Sequence, residues 1–114
     1  MSVKNKWELL ARTFLEEQGL KFIKANYRRR FGEIDLIMRD DHTLVFVEVK
    51  YRSSNAYGGT LEQVTFDKQR KIRLTAMAYL QSTYSLESIV RFDVIGITPK
   101  GLGYSYKWVK GAFE

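Results

Sequence analysis

Two apolar segments that carry charged residues constrain the fold of this chain most. They cover residues 32–37 and 45–50, and the short polar segment between them predicts an antiparallel hairpin. Asp35, Glu48 and Lys50 occupy positions where a buried strand normally has apolar residues. Buried charge is costly unless it is paired or bound to a metal ion. The hairpin therefore indicates a polar site within an apolar sheet.

Whether these charges meet depends on how the two strands pair. Side chains alternate along a strand, so Glu48 and Lys50 share one face. A pairing in which the residue numbers sum to 83 puts Asp35 opposite Glu48. A sum of 81 puts Glu33 opposite Glu48 instead, and Asp35 is then the next residue of the first strand on the same face. Any even sum separates Asp35 from Glu48, so a shared site requires an odd sum.

Convergence of Asp35 and Glu48 would require a cation, because two carboxylates a few ångströms apart repel each other. Oxygen ligands suit Mg²⁺ or Mn²⁺, and the backbone carbonyl of Val49 is a further candidate ligand. Lys50 would orient or deprotonate a water while the ion stabilises charge on a phosphate, as in phosphodiester hydrolysis. An exposed Glu–Lys pair is the commoner pattern on strands, but the apolar residues around Glu48 indicate a central strand.

The rest of the chain predicts one domain over residues 1–114 with the element order α-β-β-β-α-β-β. An apolar stripe at helical spacing predicts a first helix that ends at Gly19. A second helix starts at Thr60 or Thr65, each of which can cap it. The other predicted strands cover residues 20–27, 89–97 and 104–109, besides those of the hairpin. The stripe of the first helix consists of Trp7, Leu10, Ala11, Phe14 and Leu15.

The strand over residues 89–97 predicts one buried face, because apolar residues at 90, 92 and 94 alternate with the intervening positions. Asp93 on this strand is interpreted as a structural residue that pairs with a basic neighbour rather than as a site acid. Tyr57 and Trp108 could stack on bases, although packing is the commoner role of aromatic residues.

The charge of the chain favours nucleic acid as a partner. Its formal net charge is +6, and a basic surface attracts polyanions. The arginine run at residues 28–30 equally fits a solvated sheet edge that resists aggregation, and the basic face of the second helix equally fits a solvated surface. The residues predicted to contact phosphates are Arg28, Arg29, Arg30, Arg52, Lys68 and Lys71.

The absence of cysteine and of any apolar segment long enough for a membrane span leads us to expect a cytoplasmic protein without a membrane partner.

The charged hairpin also carries a family resemblance. Its Gly-Glu-x-Asp and Val-Glu-x-Lys segments resemble the PD-(D/E)XK nuclease superfamily. Over nearly the whole chain, the sequence is similar to a bacterial family of uncharacterised predicted endonucleases that is distantly related to archaeal Holliday junction resolvases. Ile34 stands where the nominal motif of the superfamily has proline. The matching positions are Glu8, Ala11, Leu15, Gly19, Asn26, 32–37, 46–52, Val64, Lys68 and 91–93.

The resemblance implies a restriction-endonuclease-like fold, in which helices flank a mixed β-sheet. It implies that Asp35 and Glu48 bind the metal ion and that Lys50 assists hydrolysis. It further implies that Glu8 of the first helix is an additional site acid and that the protein acts on branched DNA as a homodimer.

The sequence therefore predicts an Mg²⁺- or Mn²⁺-dependent endonuclease that acts on DNA. Two alternatives stay open. The first is a non-cleaving nucleic-acid-binding module of DNA repair or recombination on the same scaffold. The second is a charge cluster that only stabilises a protein-interaction domain.

Overall fold

The structure is a computed structural model that describes residues 3–53 and 64–114. Helix α1 spans Val3–Glu17 and helix α2 spans Phe66–Ser82. The strands are β1 (Lys21–Arg29), β2 (Gly32–Asp40), β3 (Thr43–Tyr51), β4 (Ile89–Lys100) and β5 (Gly103–Phe113). The order is α-β-β-β-α-β-β, which confirms the predicted α/β class with a mixed sheet and flanking helices.

The five strands form one sheet in the order β1-β2-β3-β4-β5. Neighbours are antiparallel except β3 and β4, which are parallel because α2 connects them and returns the chain along the sheet. The two helices contribute to separate apolar clusters: Leu15 of α1 packs in one with Val47, and Ile72 of α2 packs in the other with Phe46. Successive residues of β3 thus enter different clusters, and this central strand is buried on both faces, as its apolar sequence predicted.

Helix α1 ends as the sequence predicted. Gly19 has a positive φ of 100°, which an L side chain adopts only with strain. The N–H of Gly19 donates to the carbonyl of Glu16 at 3.0 Å, and the N–H of Leu20 donates to that of Leu15 at 3.1 Å. These two bonds are those of a Schellman motif, and they direct the chain from α1 into β1.

Helix α2 begins after Thr65, one of the two predicted caps. The Thr65 hydroxyl accepts the N–H of Lys68 at 3.2 Å, which satisfies a donor of the first turn. The other candidate cap, Thr60, lies outside the described residues. In the part of the chain that the structure describes, neither helix combines the length and apolar content required to cross a membrane.

The predicted one-sided burial of β4 is wrong. Every residue from Phe92 to Thr98 is buried, because β4 lies inside the sheet between β3 and β5 and contributes to both apolar clusters. The strand also continues to Lys100, beyond the predicted end at residue 97. The turn between β2 and β3 consists of Asp41 and His42.

Three residues donate hydrogen bonds to the carboxylate of Asp93 inside the sheet. Its carboxylate accepts two hydrogen bonds from Arg91, at 2.8 and 3.0 Å. The Trp108 indole N–H donates at 2.9 Å and the Gly111 N–H at 3.0 Å. The structure thus confirms the pairing of Asp93 with a basic neighbour, and Trp108, whose ring also contacts Phe14 edge-on, is a packing residue.

We expect Gly32→Ala to lower the free energy of unfolding by about 1–3 kcal/mol, because β2 begins tightly against α2. A Cβ at Gly32 would lie 2.7 Å from Thr75 Oγ1 and 3.1 Å from the carbonyl oxygen of Lys71. These two atoms are joined by a 2.8 Å hydrogen bond, which restrains both. Urea denaturation measures the effect. Gly103→Ala is the control, since its Cβ would meet only a carbonyl oxygen at 4.0 Å; equal stability changes in the two variants would contradict the close packing.

Candidate functional site

The register of β2 and β3 brings Asp35 and Glu48 together. Leu36 pairs with Val47 as the last pair of the ladder, and Asp35 and Glu48 are the next residues beyond it, where their side chains are hydrogen-bonded to each other. This is the pairing whose residue numbers sum to 83, so the odd sum that a shared site requires is present. Asp35 Oδ2 accepts the N–H of Val49 at 2.8 Å, which fixes the carboxylate against β3.

Glu8 approaches the same position from α1. It lies three residues before Ala11 and seven before Leu15, so it continues the buried stripe of the helix. Its side chain is only 4% exposed. One carboxylate oxygen each of Glu8, Glu33 and Asp35 lie within 4.8 Å of one another. The structure therefore brings Glu8 to the acid that the sequence predicted as the centre of the site.

Glu33 is the site acid that the sequence analysis did not select. It was considered only as the partner of Glu48 in a different strand register. The usable signal was its spacing, because Glu33 and Asp35 are two residues apart on β2 and side chains with this spacing share a face. Arg28 Nη2 lies 3.3 Å from Glu33 Oε2, so an arginine of β1 contacts the edge of this acid cluster.

A cavity of about 240 Å³ lies beside the acids. A water occupies roughly 30 Å³ in the liquid, so this volume accommodates an ion with several waters. The described residues that line the cavity are Trp7, Glu8, Asp35, Glu48, Val49, Tyr51 and Lys68. They come from both helices and from the two strands of the charged hairpin.

Glu48 is buried beside one cation and one acid. Lys68 Nζ of α2 lies 3.4 Å from Glu48 Oε2. The pKa of Glu48 is raised to about 8, first by burial and then by the hydrogen bond to Asp35 and the negative charge of that residue, while Lys68 opposes the rise. Without a metal ion, Glu48 therefore retains its proton at neutral pH, and that proton takes the place of a cation between the two carboxyl groups.

We expect the metal-free protein to lose stability as the pH rises from about 5 to 8. The pKa of Glu48 moves from 4.5 in a model peptide to about 8 in the folded chain. Across this interval the unfolded chain releases a proton that the folded chain keeps, so the free energy of unfolding falls with pH. The loss is at most about 1.4 kcal/mol per pH unit.

Urea denaturation in EDTA at several pH values measures this slope. Glu48→Gln, which cannot ionise, should flatten it. A wild-type profile as flat as that of the variant would contradict the raised pKa of Glu48.

Lys50 lies on the same face of β3 as Glu48, two residues further along the strand, and is partly buried. It pairs with Gly96 of β4 in the parallel ladder. Lys50 thus shares a face with Glu48, as predicted. It is not among the described residues that line the cavity.

The other predicted basic residues lie on the surface. Arg28, Arg29, Arg30 and Arg52 are exposed. The guanidinium of Arg29 lies over the ring of Tyr27, 4.2 Å from its centroid. Of the basic residues predicted to contact phosphates, Lys68 is the one that lines the cavity.

The basic face of α2 is less positive than its sequence indicated. Asp67 lies one residue before this face begins. Its carboxylate oxygens are 2.9 Å from Arg70 Nη2 and 3.1 Å from Lys71 Nζ. The hydrogen bond from Arg70, followed by that from Lys71, lowers the pKa of Asp67, so its negative charge persists at neutral pH. Lys71 is therefore partly neutralised within its own helix.

Comparison with known proteins identifies the family. Residues 7–97 match the model of the uncharacterised protein family UPF0102. The chain belongs to this family. It is 49% identical over 110 residues to UPF0102 protein YraN of Salmonella agona, which covers 95% of this chain and 81% of that protein. It is 43% identical over 111 residues to UPF0102 protein VP0448 of Vibrio parahaemolyticus, which covers 96% and 90%, respectively. The family segment includes all four acids around the cavity.

Proposed function

We propose that this UPF0102 protein is a metal-dependent endonuclease that hydrolyses phosphodiester bonds in DNA, including branched or junction DNA. The observation that carries the proposal is the contact between the carboxyl groups of Asp35 and Glu48 at a cavity that Glu8 also lines. Crowded, buried carboxyl groups destabilise a fold that has no use for them, whereas apolar residues of similar size would not. A role in stability alone therefore does not explain why carboxyl groups occupy these positions.

The side chains fit an Mg²⁺ or Mn²⁺ ion, which Asp35, Glu48 and the Val49 carbonyl would hold. In an antiparallel pair, the N–H and C=O of one residue point toward the same neighbouring strand. Because the Val49 N–H donates to Asp35, its carbonyl is also directed toward β2. This ligand set consists of oxygen atoms, which hard divalent ions prefer. The low fraction of exposed surface at Glu8 and Glu48, 4% and 9%, keeps bulk water from competing.

Each remaining residue has a role in hydrolysis. A bound ion would supply stabilisation of the negative charge that develops on the phosphate. Lys50 would orient the attacking water or accept its proton. Glu8 would accept hydrogen bonds from waters in the cavity and hold them in place, and Glu33 would add negative charge beside Glu8 and Asp35. Lys68 would exchange its contact with Glu48 for a phosphate oxygen once Glu48 is neutralised by the ion.

DNA is the nucleic acid that the charge and the resemblance to the PD-(D/E)XK superfamily favour. The net charge of +6 attracts the backbone. Arg28 lies at the edge of the acid cluster, next to Glu33, so it would contact a phosphate that flanks the scissile one, and Arg29 and Arg30 would contact the backbone further along. Arg52, Lys68 and Lys71 would contribute further backbone contacts, and a homodimer would suit two strands of a branched substrate.

The experiment that tests the proposal is cleavage of a panel of labelled substrates with Mg²⁺ or Mn²⁺. The panel contains duplex, single-stranded, flap and four-way-junction DNA, with matched RNA strands. We expect cleavage of at least one DNA that EDTA abolishes. Tight binding to every DNA without cleavage in either metal would contradict the enzyme and favour the non-cleaving binding module.

A further inference from the structure

An aromatic stack lines the same cavity as the acids. The rings of Trp7 and Tyr51 lie nearly parallel, with 3.6 Å between centroids and 6° between planes. Trp7 is the neighbour of Glu8 on α1, and Tyr51 ends β3 three residues after Glu48. Both rings line the cavity together with Asp35. The cavity is therefore lined by both carboxyl groups and stacked aromatic rings.

Neighbouring residues hold this stack in place. The ring of Tyr104 on β5 meets Trp7 edge-on at 5.7 Å and 79°. Lys6 Nζ lies 5.0 Å from the Trp7 centroid and 5.8 Å from that of Tyr104, where the ring faces attract a cation. Trp7 and Tyr51 are both partly exposed and both line the cavity. The cavity is therefore where a further ring can meet the stack.

We propose that the Trp7–Tyr51 stack binds one unpaired nucleobase, so that the preferred substrate carries a single-stranded nucleotide beside the scissile phosphate. The proposal rests on the proposed nuclease function and specifies its substrate class. Bases within a duplex stack on each other and must leave the helix before they can stack on a protein ring. Bases of a single strand stack on aromatic side chains at little cost, and every base has a face to offer.

The Trp7–Tyr51 stack lines the cavity, whereas another parallel ring pair in the described chain does not. Phe14 and Tyr106 also stack, at 4.7 Å and 15°, and belong to the same apolar cluster. These two rings do not line the cavity, so they pack without access to a substrate there. Tyr106 is consequently a matched control for Tyr51, because its replacement removes a stacked tyrosine from the same cluster.

The test measures binding in Ca²⁺, with a fluorescein-labelled single strand of twelve thymidines and with the same strand carrying abasic residues at its centre. We expect wild-type protein to bind the complete strand about 10-fold more tightly than the abasic one. Tyr51→Leu and Trp7→Leu should remove that preference, Tyr51→Phe should keep it, and Tyr106→Leu should not alter it. The wild-type comparison needs no variant, so it is decisive even if a substitution impairs folding.

The outcomes distinguish this proposal from the nuclease function. Equal affinity of wild-type protein for the complete and abasic strands would overturn the nucleobase site, and metal-dependent cleavage of duplex DNA could still occur. An equal loss of the preference in Tyr106→Leu would also overturn it, because the rings would then act through packing. A base preference that depends on Tyr51 in a protein that cleaves no DNA would support the nucleobase site and contradict the nuclease.

Discussion

Replacement of Asp35 by asparagine is expected to reduce the rate of metal-dependent DNA cleavage by about 10³-fold or more. Asparagine has nearly the same shape and can still accept the 2.8 Å hydrogen bond from the Val49 N–H. The strand contact is therefore retained while the negative charge at the centre of the acid cluster is lost. Single-turnover cleavage of the best substrate of the panel measures the effect, at metal concentrations up to saturation.

The matched control is Asp41→Asn in the turn of the same hairpin. Asp41 is 85% exposed and has a positive φ of 56°, a conformation that asparagine tolerates well. This variant loses the same charge without altering the site, so its cleavage rate should equal that of the wild type. If Asp35→Asn cleaved as fast as Asp41→Asn at saturating metal, the carboxylate of Asp35 would have no part in the reaction.

Truncation of Asp93 to alanine is expected to lower the free energy of unfolding by about 3–5 kcal/mol. Asp93 is 1% exposed, and its removal leaves the indole N–H of Trp108 and the N–H of Gly111 without their acceptor. Arg91 keeps a contact with Asp40 at 3.0 Å, which limits the penalty from the guanidinium. Urea denaturation with a fitted m-value measures the change.

Asp67→Ala is the exposed counterpart of Asp93→Ala. Asp67 also forms ion pairs with two basic side chains, but on the surface of α2. Exposed pairs contribute little, so its loss should cost much less stability than the loss of Asp93. Similar losses in the two variants would show that burial of Asp93 is not what makes its contacts strong.

The helices and the charged hairpin could be predicted because local rules determine them. The apolar stripe before Gly19 indicates α1, and the glycine supplies the positive φ at which the helix ends. The apolar residues around Glu48 indicate a strand buried on both faces, and β3 is the third of five strands. For Asp35 and Glu48, strand alternation sets the condition for contact but does not determine the register, since half of the pairings meet that condition.

The remaining features depend on contacts between distant segments. The burial of β4 on both faces follows from the two apolar clusters to which α1 and α2 contribute, and alternation within residues 89–97 carries no information about these helices. Glu33 joins the site because α1 brings Glu8 to it, and Lys68 joins because the helix places its first turn over Glu48. The neutralisation of Lys71 by Asp67 could have been found from sequence, since residues four apart on a helix are neighbours.

The central claim is that Asp35 and Glu48 share one divalent ion, and the most direct measurement is anomalous diffraction from crystals soaked in Mn²⁺. We predict a single strong peak in the cavity, within about 2.0–2.4 Å of a carboxylate oxygen of each residue, together with loss of that peak in Asp35→Asn crystals. A soaked crystal with no peak between these two carboxylates, or with peaks only at exposed acids such as Asp41, would contradict the account.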